Sequence, residues 1–272
     1  MATRIISGAV LLPVLLFFII YGGLPLHIAI AVISVMGLYE FYKVLSGKIK
    51  LVHFIGFISG LIYVIFVDSM MKNGQLFSFF ISFTIGTLLF YMVLFHKSVE
   101  IKDIFVTLFG VFYVPFLLTH IYLVREYKYG NYFVWLIFIA AFGCDTGAYF
   151  IGRFFGKHKL IPSLSPKKTV EGAIGGVIVA TLLSVVFGLL CGESFAIKGV
   201  NTLLMCTIIG AWGSVLSQVG DLAASSFKRY MGVKDYSNLI PGHGGILDRF
   251  DSVIVTAPVV YYIMIFLTRT IK

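Results

Sequence analysis

Nine predominantly apolar stretches, each about 17 to 23 residues long, can be placed along the 272-residue chain, and they leave few folds open. A helix of that length crosses roughly 30 Å of hydrocarbon at about 1.5 Å per residue, and inside lipid the backbone must satisfy its own hydrogen bonds. Their limits are 5–22, 26–42, 51–67, 76–95, 104–124, 131–151, 170–190, 201–223 and 252–268. Most are apolar all round, as lipid-facing helices should be, so hydrophobic periodicity adds nothing. Only 12% of the residues are charged, against about 25% in an average soluble chain, and 59% are hydrophobic. The expected fold class is therefore all-α: a polytopic integral membrane protein with about nine transmembrane helices. Arg4 gives the first stretch the start of a signal peptide, but its length and the lack of a small-x-small cleavage pattern make it a true span. Cys144, Cys191 and Cys206 have neither the context of a disulfide framework nor the spacing of a zinc site.

The basic residues test the span count. One set of loops and ends carries Arg4, Lys43, Lys48, Lys50, Lys97, Lys102, Arg153, Lys157, Lys159, Lys167, Lys168, Lys228, Arg229, Lys234 and Arg249. The opposite set carries six of the 21, namely Lys72, Arg125, Lys128, Lys198, Arg269 and Lys272. The positive-inside rule then puts the N-terminus in the cytoplasm and the C-terminus outside. The net charge of +9 thus marks a membrane face, and no nucleic-acid partner is expected. Secreted, disordered and DNA-binding classes are excluded. No repeat or low-complexity linker divides the chain. Ionisable residues nonetheless concentrate after about residue 140. Residues 1–130 read as a transmembrane scaffold of about five spans, and 131–272 as a catalytic half of about four.

The acids in that second half carry the chemistry. Asp145 stands about a turn and a half before the end of span six, Glu171 opens span seven, Asp221 closes span eight, and Asp248 and Asp251 lead into span nine. Acids beside hydrocarbon are costly unless partnered, so they mark function by default. Ion pairing with nearby Lys and Arg is the plain alternative. Carboxylates facing a polyanion also suit Mg²⁺, which takes hard oxygen ligands and completes its shell with water and phosphate. Asp221, Ser225 and Lys228 share one helix face by their spacing, as do Asp248 and Asp251.

Two basic loops frame these acids. In SLSPKKTVEG, residues 163–172, Ser165 and Pro166 make a good helix cap and first position, which would set Lys167 and Lys168 in a first helical turn. Cations there oppose the helix dipole unless a phosphate sits on the free N–H groups; interface anchoring is the alternative. Gly172 and Gly176 form a GxxxG that reads as close helix packing. In the second loop, 225–252, Pro241-Gly242-His243-Gly244-Gly245 is a tight turn whose backbone can approach a phosphate. His243 either donates to that phosphate or caps the turn. His27, His53, His96, His120 and His158 lack ligand spacing and read as packed or interfacial.

Ser225, Lys228-Arg229, Lys234-Asp235, Ser237, Pro241, His243-Gly244-Gly245, Asp248-Arg249 and Asp251 stand at the spacing of a known signature. On these residues the chain resembles the phosphatidate cytidylyltransferase, or CDP-diacylglycerol synthase, family. Ser237 stands where Gly is common. The segments DTGAYFIGRFFGKHKL and SPKKTVEG, between Asp145 and Gly172, also look like the family, whereas the first 130 residues agree only as generic spans.

The resemblance implies an enzyme that joins CTP and phosphatidic acid into CDP-diacylglycerol and releases pyrophosphate, with Mg²⁺ and a companion monovalent cation, K⁺. It also implies a multi-pass protein of the bacterial cytoplasmic membrane, with its site on the cytoplasmic side of the bilayer, and a homodimer. By motif, Asp221 and Asp248 look like metal-binding carboxylates, and Lys228, Arg229, Lys234 and Arg249 look like phosphate ligands. The expected catalytic set is Asp221, Asp248, Lys228, Arg229 and Asp251. The expected substrate-binding set is Lys167, Lys168, Ser225, Lys234, Asp235, His243, Gly244, Gly245 and Arg249, and the expected metal ligands are Asp221, Asp248, Asp145 and Glu171. A CTP-dependent lipid kinase would need the same ingredients, and differs by leaving CDP. A transporter would instead place its acids at the bilayer midplane.

Overall fold

The computed structural model describes residues 2–49 and 52–269. Lys50 and Lys272, counted above among the basic residues, lie outside them, as do the side chains of Arg4 and Arg269. The chain is helical almost throughout: α1 (Ala2–Tyr21), α2 (Gly23–Leu45), α3 (His53–Lys72), α4 (Gly74–Leu94), α5 (Ile101–Val111), a π turn (Phe112–Phe116), α6 (Leu117–Glu126) and α7 (Gly130–Phe155). A short hairpin of β1 (Lys159–Ile161) and β2 (Ser165–Thr169) follows, then α8 (Val170–Cys191), α9 (Thr202–Tyr230) and α10 (Leu247–Arg269). Among the described residues eight helical segments are long and apolar enough to cross a bilayer, α5 through α6 counting as one, and α1 adds a shorter apolar stretch, Ser7–Tyr21. Each of the nine expected spans thus meets a helix, and the chain is a polytopic membrane protein. Phe79, Phe83, Phe90 and Val93 on α4 are exposed, as side chains solvated by lipid should be.

The chain forms two compact units, residues 1–119 with 230–249, and residues 120–229 with 250–272. The loop Tyr230–Arg249 belongs with the N-terminal helices rather than with the helices that flank it.

In the first unit, Tyr42 is fully buried and donates its hydroxyl to the Thr107 carbonyl at 2.6 Å. Gly56 and Gly110 make room for it, since a β-carbon at either would overlap its ring. Pro115 has no N–H to donate and would clash in a regular helix, which accounts for the π turn around it. Gly60 of α3 admits that proline, its β-position lying 3.0 Å from Pro115 Cγ.

In the second unit, α7 and α8 meet along a glycine seam. A β-carbon at Gly147 would stand 2.7 Å from Val179 Cβ, and one at Gly176 would stand 2.7 Å from the Cys144 carbonyl oxygen. Gly172 likewise abuts the Ala148 carbonyl at 2.8 Å, so the Gly172/Gly176 pair is a packing motif as expected.

Two expectations need correction here. Lys167 and Lys168 do not start a helix. They lie on β2, antiparallel to β1, with Lys159 opposite Thr169 and Ile161 opposite Ser165. Thr169 takes the cap position instead, its hydroxyl accepting from Gly172 N at 3.1 Å, with Glu171 in the first turn of α8. Thr169-x-x-Gly172 outcompetes Ser165-Pro166 because the hairpin already pairs the backbone of 165–169. Nor do Asp145 and Asp221 stand near helix ends. Their helices run on to Phe155 and Tyr230, because hydropathy falls where charge enters while nothing breaks the helix, and Lys228 and Arg229 suit the last turn of α9.

Gly176→Leu should lower the unfolding temperature of the purified protein in detergent, at a cost of about 1–3 kcal/mol from overpacking. Gly86→Leu, with nothing within 4 Å of its β-position, should leave that temperature unchanged or raise it.

Candidate active site

Four elements of the second unit bring charge to one place. Asp145 comes from α7, Lys168 from β2, Asp221 and Lys228 from α9, and Asp251 and Ser252 from α10. Lys168 Nζ forms an ion pair with Asp221 Oδ2, both side chains being about three-quarters buried, at 29% and 23% exposure. Ser252 donates its hydroxyl to Asp145 Oδ2 at 3.0 Å, and its N–H donates to Asp251 Oδ1 at 2.8 Å. Asp251 is within electrostatic reach of Asp221, Asp145 and the buried ammonium of Lys228. Gln218, one turn before Asp221, fixes the wall by donating to the Ala173 carbonyl at 3.0 Å. Three carboxylates thus meet two ammonium groups in a medium that solvates neither sign well, and each sign requires the other. Ser225 lies on α9 between Asp221 and Lys228, half-buried, and Arg229 is exposed.

Glu171 faces elsewhere. Its carboxylate accepts from Lys157 N at 3.1 Å and His158 N at 3.2 Å, and contacts His158 Nδ1 at 2.6 Å. It ties the end of α7 to the start of α8, so its carboxylate, expected at the metal, holds the hairpin. His158, expected to be packed or interfacial, is its partner. Lys167 is exposed.

The signature loop lies in the first unit. Gly242 and Gly244 take φ of 77° and 81°, open to glycine without penalty. Ile240 N donates to the Gly244 carbonyl at 2.8 Å, and His243 N returns to the Ile240 carbonyl at 2.9 Å, closing the turn. His243 Nδ1 meets the Ser7 hydroxyl at 2.6 Å, with Ser7 also bonded to the Pro241 carbonyl at 3.1 Å; of the two roles open to His243, turn capping is the one this geometry supports. Asp248 is buried, and its Oδ2 accepts from Tyr236 N at 2.8 Å and Gly245 N at 2.9 Å. Lys234, Asp235 and Arg249 are exposed.

Sequence reasoning missed Glu40. This α2 carboxylate, 2% exposed, accepts from the Ser237 hydroxyl at 2.6 Å, Ile246 N at 3.0 Å and Leu247 N at 2.9 Å. It sits on the N–H groups that open α10, where a helix favours negative charge. The amides of Gly245, Ile246 and Leu247, which the glycine-rich turn seemed to offer to phosphate, are therefore taken by carboxylates of the protein itself. A β-carbon at Gly245 would lie 2.5 Å from Glu40 Oε2, so a side chain there would push the carboxylate from its place. The signal was available: Glu40 is a lone acid inside an apolar run, and an intramembrane acid asks for a partner.

The cytidylyltransferase family model matches residues 2–267. The chain belongs to that family. The phosphatidate cytidylyltransferase of Bacillus subtilis (strain 168) is 34% identical to it over 276 residues, 97% of each chain. That of Staphylococcus haemolyticus (strain JCSC1435) is 36% identical over 268 residues, again 97% of each. The Haemophilus influenzae protein of the same name is 42% identical over 138 residues, 51% of this chain and 47% of its own. Membership therefore extends through the first 130 residues, which read as generic spans, and Glu40 lies within the family match.

The oxygen donors of Asp145, Asp221 and Asp251 suit the hard cation that cytidylyl transfer implies. Among the described residues no three His, Cys, Asp or Glu side chains close into a ready-made cage. Mg²⁺ needs none, since one or two carboxylates suffice when water and substrate phosphate fill the remaining positions.

Glu40→Ala should leave three buried or part-buried donors without acceptors and destabilise the protein by about 1–3 kcal/mol for each donor left unpaired. Limited proteolysis should then cut first within 230–249, with Glu40→Gln intermediate; a variant as resistant as the wild type would remove Glu40 from this role.

Proposed function

We propose that this cytidylyltransferase uses CTP and phosphatidate, giving CDP-diacylglycerol and pyrophosphate for phospholipid synthesis. The observation that carries the reading is the meeting of Asp145, Asp221 and Asp251 with Lys168 and Lys228 in a helical membrane protein of this family. Such a site can hold a polyphosphate where a lipid headgroup has access.

A phosphatidate oxygen attacks the α-phosphorus of CTP in line, forming one P–O bond as the bond to the β-phosphate bridging oxygen breaks. The electron pair leaves with pyrophosphate. The attacking phosphate monoester is largely ionised near neutral pH, so no side chain needs to remove a proton. The chain positions both substrates and neutralises charge. Lys168 and Lys228 face the phosphates from inside the cluster, and Lys167 and Arg229 offer exposed cations to the remaining charges; Lys234 and Arg249 are proposed as phosphate ligands on the resemblance alone. Mg²⁺, held by Asp221 with partners among Asp145 and Asp251, would supply charge neutralisation on the triphosphate; Asp248 is proposed as a further ligand on the resemblance alone. K⁺ is proposed as its companion on the resemblance alone, as is a homodimer.

Purified protein given radiolabelled CTP, phosphatidic acid and Mg²⁺ should place label in lipid and release pyrophosphate one for one; release of CDP would identify a lipid kinase instead. Asp221→Asn should lower turnover at least about a hundredfold with the fold intact, in the range of lost electrostatic stabilisation.

We also propose that the N-terminus and the site face the cytoplasm of a bacterial inner membrane, on the strength of the basic-residue asymmetry. In a cysteine-free background, Asn238→Cys should react with an impermeant thiol reagent only from the cytoplasmic side, and Lys198→Cys only from outside. Both reacting from one side would overturn the nine-span orientation.

A further inference from the structure

The ion pair between Lys168 and Asp221 ties up a carboxylate that the proposed reaction needs for its cation. We infer that Lys168 is a built-in counter-ion: it holds the Asp221 carboxylate that the cation would take, and metal entry releases its ammonium to the substrate phosphate. This rests on the reading of Asp221 as a cation-binding residue.

Three features carry it. First, β2 leaves Lys167 exposed and turns Lys168 inward, with its side chain about three-quarters buried. Second, the backbone beneath Lys168 is pinned. Thr169 is buried and caps α8, Val170 N donates to the His158 carbonyl at 2.9 Å, and Glu171 clamps the N–H groups of Lys157 and His158. The strand is held, so any exchange at Asp221 occurs by rotation of the long lysine stem, which has four carbons and a compact ammonium. Third, charge in the cluster is close to balance. Asp145, Asp221 and Asp251 face Lys168 and Lys228. Without Lys168 the carboxylates would face a single ammonium; with both Lys168 and a divalent cation on Asp221, the two cations would repel each other.

Lysine and metal therefore compete for one carboxylate. Once phosphate is present, it offers the displaced ammonium a new partner, so substrate and metal should assist one another's binding, reciprocally as linkage requires. Loss of a cation from an active site usually weakens anion binding and leaves metal binding alone. Here the second effect changes sign.

The test uses Mn²⁺ alone as probe, with purified full-length protein in detergent and no nucleotide or lipid, and reads free Mn²⁺ by electron paramagnetic resonance. Lys168→Met should bind Mn²⁺ about tenfold more tightly than the wild type, the order expected for removing a competing charge from a part-buried pair. Lys159→Met, on the exposed strand β1, should bind as the wild type does. Asp221→Asn should bind weakly with or without the lysine. Lys168→Gln replaces the methionine variant if the latter does not fold. Unchanged or weaker Mn²⁺ binding in a folded Lys168 variant overturns the competition. Equal binding by Asp221→Asn and the wild type overturns instead the reading of Asp221 beneath it. In the wild type, acetylation of Lys168 followed by mass spectrometry should quicken relative to Lys159 when Mg²⁺ is added; an unchanged or slower rate overturns the release.

Discussion

Hydrocarbon solvates neither charge nor unpaired backbone, and the buried acids of this molecule are arranged around that fact. The acids that matter are held by donors of the protein itself. Glu40 has a hydroxyl and two amides, Asp248 two amides, Asp145 a hydroxyl, Asp221 an ammonium and Glu171 two amides and an imidazole. Two kinds of work result. Glu40, Asp248 and Glu171 mainly accept from backbone N–H groups, and so hold chain segments in place. Asp145 meets a hydroxyl and Asp221 an ammonium, while Asp251, beside its own bond from Ser252 N–H, lies within electrostatic reach of Lys228; such side-chain partners can be exchanged.

That division bears on what the glycine-rich turn does. Backbone N–H groups at a helix start are a ready anion site, and a turn rich in glycine suggests a phosphate cradle. In this protein the anion at the start of α10 is Glu40, reached from α2. Gly245 is glycine because the Glu40 carboxylate fills the space of a side chain, and Gly244 because its φ is positive. Lys228 and Lys168, by contrast, are anchored through their backbones while their charged ends remain among carboxylates, the arrangement a polyanion with its cation can take over.

Glycine also sets how closely the helices approach. Without a hydrophobic drive between helices in lipid, close backbone contact supplies much of the attraction. The α7/α8 seam, with Gly147, Gly172 and Gly176 against Val179, Ala148 and Cys144, brings Asp145 and the hairpin carrying Lys168 onto neighbouring elements. On α9, Gly213 and Gly220 do the same for α10: Thr256 reaches the Gly213 carbonyl at 3.3 Å, and the β-position of Gly220 lies 3.0 Å from Val255. The cluster of carboxylates depends on residues that have no side chain at all.

The sequence by itself determined the helical class and the nine apolar stretches, each of which meets a helix among the described residues, because the length of an apolar run and the rarity of charge within it are one-dimensional properties. It also determined the Asp221, Ser225 and Lys228 face, since helical spacing is local. It did not determine where Lys168 lies, because the choice between a helix start at Ser165 and one at Thr169 turns on pairing with Lys159–Ile161. Nor did it determine that the loop 230–249 belongs with the N-terminal helices. That depends on Glu40, some 200 residues away in the chain, and on Lys48, whose ammonium donates to the Tyr230 carbonyl at 2.5 Å. Partners of buried carboxylates are chosen by three-dimensional proximity. A sequence shows that such a group needs a partner, and only the tertiary structure shows which one it takes.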